Sequence, residues 1–279
     1  MSNAISALKM GQLTQCMEAL KNEVRQAPSD PQKRVFLFQL YSVTGEWDKA
    51  LTQLNVARDL DSQNKTMAET YQEVLRCEGL RDAVFDGKRS PTILGEPPEW
   101  MAKLMQSLVH FAKRDFSAFS DLQGEAFENA ESSQGNLWLF DGDEEGQSFD
   151  WIADSDMRLG PVLEAVINGR YYWIPFSNIK SIELEQPVDL RDLVWTPATF
   201  CWSNDGQAVG FIPTRYPGSA SSDDDEIRLA RKTDWASPAD DIYAGLGQRT
   251  FTTDSDEFSL TAIRRIVFTS NAPESNGEI

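Results

Sequence analysis

Three carboxylates, Asp154, Asp156 and Glu164, stand close in sequence to Arg158 and Arg170. Paired carboxylates can divide general-acid and nucleophile or base roles in hydrolysis. Carboxylates interleaved with guanidinium groups instead bind one another and fix loop geometry. With 44 acidic residues in the chain, any chosen acidic pair is weak testimony for catalysis. The ion-pair reading therefore comes first, with Arg191, Arg215 and Arg249 as further planar, bidentate partners. A docking surface built on Asp154, Asp156, Arg158 and Arg215 stays open beside it.

Other chemistry finds little footing. The single histidine, His110, has no Gly-x-Ser-x-Gly elbow to serve and falls on the polar side of a helical pattern. Cys16, Cys77 and Cys201 are too scattered for a zinc site. Gly87-Lys88 lacks the upstream glycine and the following hydroxyl residue of a phosphate loop. Gly245-Leu246-Gly247 opens like a dinucleotide fingerprint but lacks its third glycine, and is read as a turn. Asp141, Asp143, Glu145 and Gly146 open like a calcium loop, yet Ile152 occupies the position that needs a bidentate carboxylate. No catalytic residue, cofactor or metal is assigned.

Composition narrows the partners. The net charge of -18, from 44 acidic against 26 basic residues, repels polyphosphate and anionic lipid surfaces, so nucleic acid is not expected. Lys88-Arg89, the nearest approach to a basic patch, reads as a solvated loop. Hydrophobic residues at 41%, with eight Trp and fifteen Phe, are enough to build a sizeable core. No apolar run is long enough to span a bilayer, and the first residues lack the order of a secretory signal. Three unpaired cysteines suit a reducing compartment, so the expected location is cytoplasmic.

The elements that would position these residues divide in two. Glycines at Gly11, Gly45 and Gly79 recur every 34 residues, the tetratricopeptide (TPR) period of two helices joined by a glycine turn. The second copy is clearest, with Leu37 and Tyr41 before the turn and Ala50, Leu54 and Ala57 after it at helical spacing. The third is read as a helix to about Cys77, a turn at Gly79, and a truncated second helix ending near Asp86-Gly87. A further pair follows Pro97-Pro98, turning at Arg114-Asp115-Phe116. Such repeats expose a groove for a peptide or helix, here expected to be lined by Gln39, Ser42, Glu69, Glu73 and Arg76.

From about Asn136 the pattern becomes short apolar runs broken by Gly, Pro, Asn and Asp, predicting strands near 149–153, 162–167, 170–175, 179–183, 199–202, 208–214 and 263–268. Asn168-Gly169 between two runs predicts a two-residue hairpin. The acidic stretch Ser219 to Glu226 is read as an exposed, mobile loop. The expected fold is α+β: TPR-like helical repeats over 1–132, a β-rich barrel- or sandwich-like domain over 136–270, and a loose tail over 271–279.

Several of these stretches resemble the ImpE family, also called SciE or TagJ. The run Asp150 to Glu164 is the most specific, with Trp151, Asp154, Asp156, Arg158, Gly160 and Pro161. Asn168 to Phe176, Asp189 to Trp195, Pro213 to Ser219, Gly247-Gln248-Arg249 and, in the helical half, Gly95 to Trp100 also match. The resemblance implies an accessory protein of the type VI secretion apparatus, linked to the small subunit of the contractile sheath and to the ClpV ATPase. The expected function is a non-enzymatic adaptor with protein partners and no membrane insertion. A hydrolase using carboxylates among Asp154, Asp156 and Glu164, with the repeats recruiting its substrate, and a TPR adaptor unrelated to secretion are the alternatives.

Overall fold

Helical spacing from Asn3 onward becomes seven helices before the first long strand. The computed structural model describes residues 2–142 and 144–269; Asp143 of the calcium-loop reading and the tail 271–279 lie outside them. The helices are α1 (Asn3–Lys9), α2 (Leu13–Gln26), α3 (Pro31–Val43), α4 (Trp47–Leu60), α5 (Lys65–Phe85), α6 (Glu99–Ala112) and α7 (Phe116–Asn129). Asp30 accepts from the Gln32 and Lys33 amides to start α3, and Pro31 presets its first turn. Asp115 caps α7 in the same way through Ala118.

Gly11 and Gly45 do turn the chain, at φ +71 and +70, with paired backbone bonds closing each helix end. Gly79 does not. It lies inside α5, which runs on to Phe85 and ends at Gly87 with φ +68. The third repeat is thus one long helix, because Val74, Glu78, Arg81 and Phe85 continue a single buried stripe past the glycine. Cys16 sits fully buried between the first helices.

The strands are β1 (Thr92–Ile93), β2 (Gly135–Leu139), β3 (Gln147–Phe149), β4 (Ile152–Asp154), β5 (Val162–Ile167), β6 (Arg170–Pro175), β7 (Ile179–Leu184), β8 (Trp195–Trp202), β9 (Gln207–Pro213), β10 (Thr233–Ala239), β11 (Ile242–Gly247), β12 (Thr250–Thr253), β13 (Glu257–Ser259) and β14 (Ile263–Phe268). Nine form one sheet in the order β1-β6-β5-β9-β8-β7-β14-β2-β3; β13-β12-β4 and β10-β11 form two smaller ones. The Asn168-Gly169 hairpin forms with both residues at positive φ. The strand expected over 149–153 is instead two, since the chain leaves the large sheet after Phe149 and joins the small one at Ile152. Gly245-Leu246-Gly247 is not a turn but the end of β11. A side chain at 245 would strike the Tyr216 ring, its Cβ lying 2.3 Å from the nearest ring atom.

Strand β5 is buried throughout, which sets the layering. Val162 and Val166 join the core shared with the helices, whereas Leu163, Ala165 and Ile167 face a second core with Phe251 and Phe258 of the three-stranded sheet. One hydrophobic core therefore runs across the helix-to-sheet junction, from Leu13 and Phe38 through Tyr71 to Trp173 and Trp195.

The acidic stretch corrects another expectation. Ser219–Ser221 forms a 3-10 turn and Asp225–Arg228 a short helix, α8, and together they strap the repeat turns. Ala220 packs on Gly45. Asp225 accepts from the Leu13 amide at 3.0 Å, capping α2 in place of Gln12, and Arg231 donates to the Leu8 carbonyl at 3.2 Å. A bare α-carbon is needed at Gly45, where a Cβ would lie 2.8 Å from that of Ala220, but not at Gly79, where the space is open. Gly45→Ala is expected to lower stability by about 1–2 kcal/mol, and Gly79→Ala to raise it by about 0.5–1 kcal/mol. Urea denaturation of the two variants checks both signs.

Candidate functional site

The repeat face expected to be an open groove is occupied by the chain itself. The 3-10 turn Leu190–Leu193 packs on α3 and strand β6 packs on α5. Trp195 stacks near Trp47 and Tyr71, and Phe211 near Tyr71, with ring centroids between 5.3 and 6.0 Å apart. Gln39 and Ser42 are buried beneath this layer, which corrects their reading as groove contacts. Glu69 and Arg76 are exposed on α5 and Glu73 is half-buried beside the β5–β6 turn. Lys65 lies 3.9 Å from Glu69, and Arg76 2.5 Å from Glu73.

Asp154, Asp156, Arg158 and Arg215 are likewise buried, so none of them offers a docking surface. They belong to a network of four carboxylates and four guanidinium groups. Its centre is Glu164, which has no exposed surface. Arg81 donates to it twice, at 2.7 and 3.1 Å, Tyr171 donates at 2.5 Å, and Arg249 closes the remaining side. Arg249 also holds Asp154 and donates to the Pro213 carbonyl at 2.9 Å. Pro213 has no amide to offer, and the β5–β9 ladder stops at Val166 and Ile167. The guanidinium therefore bridges a gap where the two strands part.

On the outer side, Asp156 forms a bidentate pair with Arg158, at 2.8 and 2.5 Å, and accepts from the Gly245 amide. The Arg158 guanidinium lies over the rings of Phe85 and Phe111. Towards the repeats, Glu78 accepts from the Trp195 indole at 2.6 Å and stands 3.7 Å from Arg81. Among the described residues, Arg215 has no carboxylate in bonding range. It donates to the Ser42 and Val43 carbonyls at the end of α3, at 3.2 and 2.7 Å, and to the Arg228 carbonyl at the end of α8. Terminal carbonyls, otherwise orphaned, carry the negative end of the helix dipole.

The network's charges are unequally comfortable. Burial would raise Glu164, but Arg81 and Arg249 overcome it and hold the carboxyl at about 2. Burial dominates at Asp154 and, with Asp156 and Glu164 nearby, lifts it to about 7 against the pull of Arg249. Burial also raises Glu78 and lowers Arg215 to about 10. A polar cavity of about 140 Å³ adjoins Glu78, Arg81 and Arg215. It is smaller than the roughly 300–1,000 Å³ of ordinary ligand pockets. Sequence reasoning missed Glu78 and Arg81; the available signal was two charges on the apolar stripe of α5, four and seven residues after Val74.

His110 is half-buried and bonds Asp115 at 2.9 Å. Among the described residues no cluster of three His, Cys, Asp or Glu side chains could hold a metal ion, and no helix is long and apolar enough to cross a membrane.

A family model described as ImpE protein matches residues 146–267, the stretch that supplies most of this network. The type VI secretion system accessory component TagJ of Pseudomonas aeruginosa is 42% identical over 262 residues, which cover 94% of this chain and 89% of that protein. A crystal structure of a Vibrio parahaemolyticus protein superposes with a TM-score of 0.84 over 95% of this chain and 97% of its own, at 24% identity, and so shares the fold.

Two outcomes are expected of the network. Arg81→Met strands a buried carboxylate and lowers stability by about 3–5 kcal/mol in urea titrations; Arg76→Met, exposed on the same helix, changes it by no more than about 0.5 kcal/mol. Asp154, raised from 3.8 to about 7, stabilises the fold fully below its unfolded pKa and loses that contribution as pH rises through about 7. Glu164, lowered from 4.5 to about 2, contributes above its unfolded value and loses it as pH falls towards 2. Melting temperature should therefore decline from pH 5 to pH 7.5, and Asp154→Asn, which mimics the protonated acid, should flatten that decline while leaving the acid limb in place.

Proposed function

The chain belongs to the ImpE family of type VI secretion accessory proteins, and from that premise we propose that it is a non-enzymatic adaptor acting in the cytoplasm on protein partners. The partners proposed are the small subunit of the contractile sheath and the ClpV ATPase that dismantles the sheath. One observation supports the adaptor reading above others: the carboxylates that hydrolysis would use are each engaged by an arginine inside the protein. Asp154, the one with the raised pKa that suits a general acid, is 3% exposed and bonded to Arg249 and the Asp156 amide. A generic TPR adaptor would present its repeat face to a peptide, and here that face is covered by Trp195, Phe211 and the turn 190–193.

The outer surface of α5 is open to a partner, and Glu69, Glu73 and Arg76 are the proposed contacts among the residues picked out by sequence. Co-purification with the sheath small subunit and with ClpV tests the assignment. Glu73→Lys is expected to reduce capture without shifting the melting temperature. Arg158→Glu is expected to reduce it only by unfolding the protein. Wild-type chain that retrieves neither subunit at low salt would overturn the proposal.

A further inference from the structure

The polar cavity of about 140 Å³ lies where the second repeat turn, helix α5 and the strap meet. Two guanidinium groups that line it have donors left over. Arg215 is 4% exposed and spends Nη1 and Nη2 on the Val43, Arg228 and Ser42 carbonyls, which leaves Nε. Arg81 spends Nε and Nη2 on Glu164 and the Arg215 carbonyl, which leaves Nη1. That Nη1 stands 3.7 Å from Glu78 Oε2, beyond hydrogen-bond range, while the Trp195 indole donates to Glu78 Oε1. Carbonyl dipoles alone do not cancel the charge that Arg215 carries into the interior. The junction thus holds a buried cation without a bonded counter-ion, and holds it at the wall of a cavity.

We propose that this cavity binds a small monocarboxylate, held between Arg81, Arg215 and Glu78. Shape selects a carboxylate edge. A single oxygen about 2.9 Å from both Arg81 Nη1 and Glu78 Oε2 would have to bond them at an angle of about 80°, too narrow for a water or hydroxyl. The two oxygens of a carboxylate, about 2.2 Å apart, instead reach both atoms along nearly parallel lines, as in a bidentate pair. Size limits the rest. A cavity of roughly 150 Å³ holds a benzene ring, so this one suits an acid of about five heavy atoms, with Val194 and Trp47 as the apolar wall for its tail. Charge agrees with shape. Burial and Asp82 raise Glu78, whereas Arg81, the Trp195 indole and Arg215 oppose them; these are the groups that face it from α5, β8 and the segment after β9. Thr44 of the repeat turn and Ser221 of the strap bring no charge. A protonated Glu78 donates to the acid instead of repelling it, so binding takes up a proton. The acid gives Arg215 its counter-ion at the point where that guanidinium ties α3 to α8.

The test titrates propionate into the full-length chain at constant ionic strength set with chloride, reading the indole N–H signals by heteronuclear NMR. The signals of Trp47 and Trp195 should shift saturably, with a dissociation constant in the millimolar range that suits so few atoms. Those of Trp138 and Trp151, which do not line the cavity, should stay still. Binding should be tighter at pH 6 than at pH 8 by about threefold or more. Ser221→Phe, at the exposed mouth, should weaken it by about tenfold or more and keep the wild-type melting temperature. Glu78→Gln, whose amide N–H stands in for the acid proton, should bind alike at both pH values. An absent or unsaturable shift, equal binding by neutral propionamide, or loss of binding in Glu78→Gln protein of wild-type melting temperature would overturn the inference. Tighter binding of inorganic phosphate than of propionate would overturn the assignment to a carboxylate. None of these outcomes bears on the adaptor reading, which stands or falls on capture of the sheath and ATPase subunits.

Discussion

A carboxylate with no exposed surface has to be met by donors from the protein itself, because burying an unpaired charge costs far more than any single contact returns. Glu164 meets that demand with four hydrogen bonds from Arg81, Tyr171 and Arg249, residues of α5, the neighbouring strand β6 and the lead-in to β12. Each donor then needs its own geometry held. Arg249 is fixed by Asp154 and Pro213, Tyr171 by the Trp173 indole at 2.7 Å, and Arg81 by the Arg215 carbonyl at 2.8 Å. The helical and β halves are joined by a requirement for neutrality as much as by apolar packing.

The stretches that carry the family resemblance hold several of the same residues. Asp154, Asp156, Arg158, Glu164, Arg215 and Arg249 form one connected set of pairs and helix-end contacts. The clustering of Asp154, Asp156, Arg158 and Glu164 near Asp150, and their conspicuous charge, suggest a site that faces outward. Burial assigns them instead to holding the shape, and moves the question of function to exposed surfaces whose residues look ordinary in sequence.

Local signals carried much of the architecture. The Asn168-Gly169 hairpin, the turns at Gly11 and Gly45 and the helix pair after Pro98 follow from short-range chemistry, and the structure places them where that chemistry puts them. What failed was regularity taken as meaning. Gly79 keeps the 34-residue period yet sits in a helix with open space around it, since only a docking strap, absent there, makes the glycine necessary. Reading it as a stop hid Glu78 and Arg81, whose place on the apolar stripe of α5 was visible. The strap itself was illegible because its acidic composition suits a solvated loop, and the Leu13 amide that Asp225 caps lies far away in the sequence. Strand β11 was missed for a similar reason: Gly245 answers to the Tyr216 ring and Gly247 to the Lys232 carbonyl, not to a local turn.

The strap and the network also impose an order on synthesis. The repeats leave the ribosome first, but the cap of α2 and the partners of Arg81 are encoded between Glu164 and Asp225, with Arg249 later still. At roughly 5–20 residues per second, the 171 positions from Glu78 to Arg249 take roughly ten to thirty seconds to emerge. During that interval the nascent helices carry Tyr71, Phe85 and two ionised groups with nothing to cover them. The amino-terminal helices thus stay incompletely packed until their own carboxy-terminal sequence arrives.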